Sequence, residues 1–196
     1  MLQYTGIGPD SLSAYLDADK NGTISNDKDR VVSGTALPNR LYSFYGTMFF
    51  KGFDLAVNFN GVSGNKIYDN TANSLFYKAK LAKSTNTTSE ASQNLNESNN
   101  NAAPVSTRYL KNGSYLRLNN LSLAYTFNTK ALGISRWASA IRLSVTGQNL
   151  FVITDYNGYD PEVNIDRNIG SVSSYGIDYL SYPKARSFIF GLNVSF

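Results

Sequence analysis

The sequence predicts an all-β chain, an antiparallel transmembrane β-barrel segment of about five to six strands joined by long loops on one side. Three observations carry this. Large apolar residues alternate with small or polar ones through Arg186–Phe196, and the same period of two returns in upstream stretches. No apolar run is long enough for a membrane helix, so a membrane would be met with strands. Aromatic residues reach 13%, with 14 Tyr, a content suited to a wall whose apolar surface meets water at two rims.

Taken from the N-terminus, the stretch before Tyr42 reads as a long loop containing an acidic segment, Asp17–Asp29. A strand follows over Tyr42–Phe50, and Lys51-Gly52 makes a tight turn into the next. There Phe53, Leu55, Val57 and Phe59 oppose Asp54, Ala56, Asn58 and Asn60. Ser63–Ser114 is a long loop. Within it Leu75–Lys83 suits a short helix, and residues 84–101, rich in Ser, Thr and Asn, suit a polar stretch that is mobile or only locally ordered. In the strand Tyr115–Phe127, Leu121, Leu123, Tyr125 and Phe127 are out of phase with Leu116 and Leu118, which implies a bulge or a strand running past the membrane edge.

Asn128–Ser139 is a modest connection whose Trp137 suits either an interfacial anchor or packing under a turn. Ile141, Leu143 and Val145 then alternate with Arg142, Ser144 and Thr146. The last long loop, Phe151–Ala185, leads into the final strand, where Phe188, Phe190, Leu192, Val194 and Phe196 share one face. Asp54 and Arg142 both fall on the polar side, as a wet lumen requires and lipid forbids. The competing reading of the same alternation is a strand of a soluble sandwich.

Composition removes several function classes. With no His and no Cys, most zinc sites, Ser/His or Cys/His catalysis and disulfide frameworks are excluded. The net charge of +4 comes from scattered Lys and Arg rather than a basic stripe, so no nucleic-acid partner is expected. Asp155, Asp160, Glu162, Asp166 and Asp178 supply carboxylates for a glycosidase pair in principle. Their setting in loops points instead to turn formation, and no enzyme activity is expected.

Two binding sites are candidates. Asp17, Asp19 and Asn21 alternate ahead of Gly22 and Thr23, as in the first half of a calcium loop, with Asp27 or Asp29 completing the ligands. Lys28 stands where a bidentate Glu belongs. The same residues also suit a solvated turn braced by Asx hydrogen bonds, and both readings stay open. In Asp155–Pro161, Tyr156 and Tyr159 flank Asn157-Gly158, so a tight turn would offer two rings for stacking on a sugar, or for packing on neighbouring loops. Arg117, Asn119, Gln148 and Asn149 are polar groups for the barrel interior or rim.

Four blocks in order, Asp17–Arg30, Lys51–Ile67, Gly113–Phe127 and Ile141–Pro161, together with the ending Gly176–Tyr179, Tyr182-Pro183 and Phe188–Phe196, resemble the C-terminal part of SusC/RagA-type TonB-dependent transporters. The resemblance implies a roughly 22-stranded outer-membrane barrel with an N-terminal plug. It further implies energising through TonB and import of glycans or peptides beneath a SusD-like lipoprotein lid. On this reading the chain is a fragment of the parent receptor, in contact with outer-membrane lipid and unable to transport alone, because a closed barrel needs about eight strands at least. The alternative is a soluble or surface-attached β-rich module that binds glycan with calcium.

Overall fold

The computed structural model describes residues 1–76, 87–93, 96–101, 103–163, 168–169, 172–173 and 175–196. Its strands are β1 (Tyr4–Ile7), β2 (Ser13–Tyr15), β3 (Arg40–Phe50), β4 (Phe53–Ser63), β5 (Lys66–Asp69), β6 (Leu110–Asn112), β7 (Tyr115–Phe127), β8 (Ala140–Thr154), β9 (Asn168–Ile169), β10 (Val172–Ser173), β11 (Ile177–Asp178) and β12 (Ser187–Ser195). Two short helices, α1 (Asn70–Leu75) and α2 (Ser89–Gln93), lie in the loops. The chain divides into two compact units.

One unit, Pro38–Gly64 with Ser114–Pro161 and Tyr182–Phe196, is a five-stranded antiparallel sheet in the order β12-β8-β7-β4-β3. Its register follows from the dyad pattern. Phe53, Leu55 and Val57 stand opposite Tyr125, Leu123 and Leu121, while Asp54, Ala56 and Asn58 stand opposite Ala124, Ser122 and Asn120. Phe53, Leu55 and Val57 thus share a face with the large apolar side chains of the neighbouring strand, and a one-residue slip would turn the whole set over. The turn at Lys51-Gly52 has φ of 48° and 87°, the left-handed pair that a two-residue hairpin needs to match strand twist.

The phase change in β7 is a bulge. The register jumps at Asn58/Phe59 against β4 and at Leu118/Asn120 against β8, where Asn149 takes a φ of 51°. One extra residue in β7 returns Leu116 and Leu118 to the face of Leu121, Leu123 and Tyr125.

On the apolar face, two rows of mainly aliphatic residues, Met48-Leu55-Leu123-Val145 and Gly46-Val57-Leu121-Gly147, lie between two aromatic groups. Phe53, Tyr125 and Phe127 cluster at the short-turn end, with centroids 4.5 and 4.9 Å apart. Phe44, Phe59 and Phe151 cluster toward the other end at 6.4 and 6.2 Å. Phe53 and Phe59 are six residues apart, so the groups sit about 20 Å apart along β4, close to the apolar band of a membrane barrel between its aromatic girdles. Trp137 stands 80% exposed in the Asn128–Ser139 connection at the short-turn end.

The polar face satisfies itself. Arg142 forms an ion pair with Asp54 across the intervening β7. Thr146 donates to Ser122 at 2.9 Å, Asn119 to Asn58 at 3.3 Å and Ser43 to Asn60 at 3.3 Å.

The other unit, Met1–Leu37 with Asn65–Gly113 and Glu162–Ser181, is built from small pieces. β1 pairs antiparallel with β2, and β5 takes β6 antiparallel on one side and β11 parallel on the other. Its apolar core is small: Tyr68, Phe76, Ala91 and Tyr109. Burial pushes the Tyr68 phenol up to about 12.

The helix expected over Leu75–Lys83 falls largely outside the described residues, and the helix present, α1, ends at Leu75. It starts where the Asp69 carboxylate accepts the Ala72 amide at 2.8 Å.

Candidate functional site

Arg117 and Asp160 form a buried ion pair at the base of the last long loop, and Asp160 also accepts the Lys184 amide at 3.3 Å. The pair ties both ends of the loop to β7. Tyr156 is buried at 5% exposure, and a side chain at Gly158 would meet its ring at 2.3 Å, so the turn closes over that ring. Tyr159 stands 75% exposed. The expected pair of exposed rings is therefore one outward ring and one buried ring, and Asp160 is committed to Arg117 instead of serving in an acid–base pair. Gln148 and Asn149 link β8 to β12 and its lead-in, through Ser187 at 3.0 Å and the Ala185 carbonyl at 3.0 Å.

In the acidic segment, one carboxylate oxygen from each of Asp17, Asp19 and Asp29 lies within 4.8 Å of the other two. Oxygens sharing a Ca²⁺ at roughly 2.3–2.6 Å are no more than about 5 Å apart, so this set fits the ion. Backbone donors hold the same groups. The Gly22 amide gives to Asp17 at 2.7 Å, the Asn21 amide to Asp19 at 3.2 Å and the Thr23 amide to Asn21 at 2.8 Å. Asp29 is fully buried and accepts the Ser25 and Ala18 amides at 2.7 and 2.8 Å; the Ser25 amide above all holds its carboxyl below the usual carboxylate range. Of the two residues offered for the last ligand, Asp29 joins the cluster and Asp27 does not.

Sequence reasoning missed a third constellation. Arg108 grips Glu97 with two bonds of 2.8 Å, reaches Glu90 at 3.1 Å and Ser13 at 3.1 Å, and lies over the Phe76 ring at 4.3 Å. The Arg108 and Glu97 side chains are 4% and 0% exposed. Burial alone would lower the guanidinium pKa, but the Glu97 bond and the nearby Glu90 charge leave it raised. Asn101 adds a bond to Glu97 and exchanges two with Ser13, at 3.0 and 2.9 Å. Among the described residues of the 84–101 stretch, Glu90, Glu97 and Asn101 join this charged hub through ion pairs and an amide rather than apolar side chains. The only sequence signal is a pair of acidic residues, Glu90 and Glu97, in an otherwise neutral run.

No family model matches the sequence. Among curated proteins, TonB-dependent receptor P3 of Formosa agariphila is 35% identical over 93% of this chain. TonB-dependent receptor SusC of Bacteroides thetaiotaomicron is 28% identical over 93%. Two solved structures of RagAB, a peptide transporter, cover the whole chain with TM-scores of 0.76 and 0.78 at 21% and 20% identity, and they show the fold. The chain belongs to the SusC/RagA-type TonB-dependent receptors.

These receptors are outer-membrane proteins, and the sheet has the facing that such a barrel wall requires. The chain spans about a fifth of the length of the receptors it matches: 19% of P3 and of SusC's length 17%, with 22% of the RagAB chain.

Proposed function

We propose that this chain supplies wall strands and loops to an outer-membrane receptor that imports oligomeric nutrients, glycans or peptides. Import is driven through TonB beneath a SusD-like lipoprotein lid. One observation carries the reading: a sheet with an uncovered apolar face between two aromatic groups, and an opposite face whose charges pair with each other. Phe190 and Leu192 on the apolar face are 80% and 66% exposed. A soluble sandwich would pack that face against a second sheet; a bilayer covers it without one. The RagAB neighbours are described as a peptide importer, which favours cargo import over chemistry.

Edge strands β3 and β12 each have one unpaired side among the described residues. Transport is therefore assigned to the complete barrel and not to this sheet alone. Within the receptor, Tyr159 is the ring we assign to cargo contact, supported by its exposure, and the Asp17–Asp29 loop is a structural Ca²⁺ site. Asp17, Asp19, Asp29, Asn21 and the Thr23 carbonyl are its ligands, and the carboxylate spacing favours it.

The segment has no native cysteine, so single cysteines at Phe190, Leu192 or Val194 report orientation directly. In the membrane-embedded receptor each is expected to react with a membrane-soluble maleimide and not with a water-soluble one. The reverse pattern, or a receptor that remains folded and monomeric in water without detergent, would favour the soluble calcium-dependent glycan-binding module.

A further inference from the structure

The two connections at the short-turn end of the sheet carry charge of one sign. Lys51 lies in the turn from β3 to β4, Lys130 and Arg136 lie in the connection from β7 to β8, and neither connection contains an Asp or Glu. The five strands of the sheet hold a single acidic residue, Asp54, and Arg142 already pairs with it. Lys51, Lys130 and Arg136 are exposed, and none of them forms an ion pair among the described residues. Hydrogen bonds fix both connections against the strand ends. The Thr126 amide donates to the Gly52 carbonyl at 2.8 Å, so the Lys51 turn abuts the end of β7, where the second connection begins. There the Asn128 side chain accepts the Lys130 and Ala131 amides at 3.2 Å each, and the Thr129 hydroxyl closes the connection on the Ser139 carbonyl at 3.1 Å.

The neighbouring side chains select what these charges meet. The Lys51 ammonium lies 5.3 Å from the centre of the Phe50 ring, and Phe50 shares the apolar face with Phe53. That charge is folded toward the face a bilayer covers and away from the polar one. Leu132 and Trp137 stand exposed in the same connection as Lys130 and Arg136, just past the last apolar row, Phe127, Ile141 and Val194. Exposed apolar groups beside unpaired cations suit neither open water nor hydrocarbon. They suit the layer between, where indole rings lodge and Lys or Arg stems lie along apolar surface with their charges at headgroup level. A zwitterionic headgroup brings its own cation to such a rim, whereas an anionic one supplies the missing negative charge. We propose that Lys51, Lys130 and Arg136 form a binding rim for anionic phospholipid, engaging its phosphodiester while Leu132 and Trp137 enter the upper acyl region. The proposal rests on the wall orientation given above.

The test uses the complete receptor in phosphatidylcholine bilayers at low ionic strength, with bimane on the exposed connection through Ser135→Cys in an otherwise cysteine-free background. A minor fraction of the lipid bears a spin-label quencher high on the acyl chain, on either phosphatidylglycerol or phosphatidylcholine. Quenching should give phosphatidylglycerol an apparent association at least about fivefold above that of phosphatidylcholine, the effect of a single cation beside an anionic surface. The triple variant Lys51→Gln, Lys130→Gln, Arg136→Gln should lose that preference, while quenching by phosphatidylcholine, which reports the depth of the rim, stays unchanged. Equal association of both lipids with the unaltered receptor, or a preference that survives the triple variant, overturns the proposal. So does a preference removed by inorganic phosphate but not by chloride at the same ionic strength, which would assign the cations to free phosphate. Absence of quenching by either lipid would put the connection outside the membrane and overturn it too. The Phe190–Val194 labelling reports separately whether the wall orientation itself has failed.

Discussion

Replacing Glu97 by Ala removes the principal partner of a guanidinium that is almost out of water. Arg108 keeps its 3.1 Å bond to Glu90, a side chain 37% exposed, and its contact with the Phe76 ring, but loses both 2.8 Å bonds to Glu97. Breaking a buried pair by removing one member costs roughly 3–5 kcal/mol, and the surviving Glu90 bond places this case near 3. At about 1.4 kcal/mol per decade, the opening equilibrium of the surrounding segment should rise roughly a hundredfold.

Hydrogen exchange reads this directly. The Ser98 amide, bonded to the Ser11 carbonyl at 2.8 Å, and the Ser13 amide, bonded to Asn101, should exchange about two orders of magnitude faster in the receptor carrying Glu97→Ala. Amides of β7 should keep their protection. Replacing both Glu97 and Arg108 by Met should restore much of the loss, because no unpaired charge remains buried. An acceleration below about threefold in the single variant would refute the hub as the element that holds this segment, and equal acceleration in β7 would refute its local character.

Three further outcomes are expected. Calorimetric titration of the receptor with Ca²⁺ should show a single-site heat that Asp19→Ala abolishes; no heat in the unaltered protein, with the Gly22 amide still protected, would leave the hydrogen-bonded turn as the whole explanation of the loop. Leu123→Arg, on the central strand and the apolar face, should destabilise the receptor refolded into bilayers by about 2–4 kcal/mol. Arg142→Ala should cost under about 1 kcal/mol, since that side chain is 46% exposed and its pair lies on the wet face. Equal effects in urea titrations would contradict the assignment of faces.

The sheet was legible in the sequence because its residues obey a short-range rule. Phe53–Asn60 and Phe188–Phe196 announce their faces by alternation, and the observed strands, Phe53–Ser63 and Ser187–Ser195, differ from those stretches by at most three residues at an end. The phase change in Tyr115–Phe127 signalled a bulge or a strand overrunning the membrane edge, and the partner strands decide for the bulge, at Asn119 and Asn149. The other unit was not legible for a corresponding reason. Its order comes from Arg108, Glu97 and Asn101, whose partners lie as far away as Ser13, and polar contacts of that range leave no periodic trace. Tyr156 illustrates the same limit in one residue. Its neighbours Asn157-Gly158 announce a turn, but not that the ring lies buried under that turn.

The bulge bears on how such a wall assembles. A strand that alternates with period two can slide two residues along its neighbour and still show lipid every apolar side chain, so hydrophobicity cannot distinguish the native alignment from the slid one. The left-handed Asn149 opposite the extra residue of β7 occurs once along the pair, and it can be matched in only one alignment. It works as an index mark: strands that join out of step must set a kink against straight backbone, so the slid alignment costs energy that alternation alone would not impose.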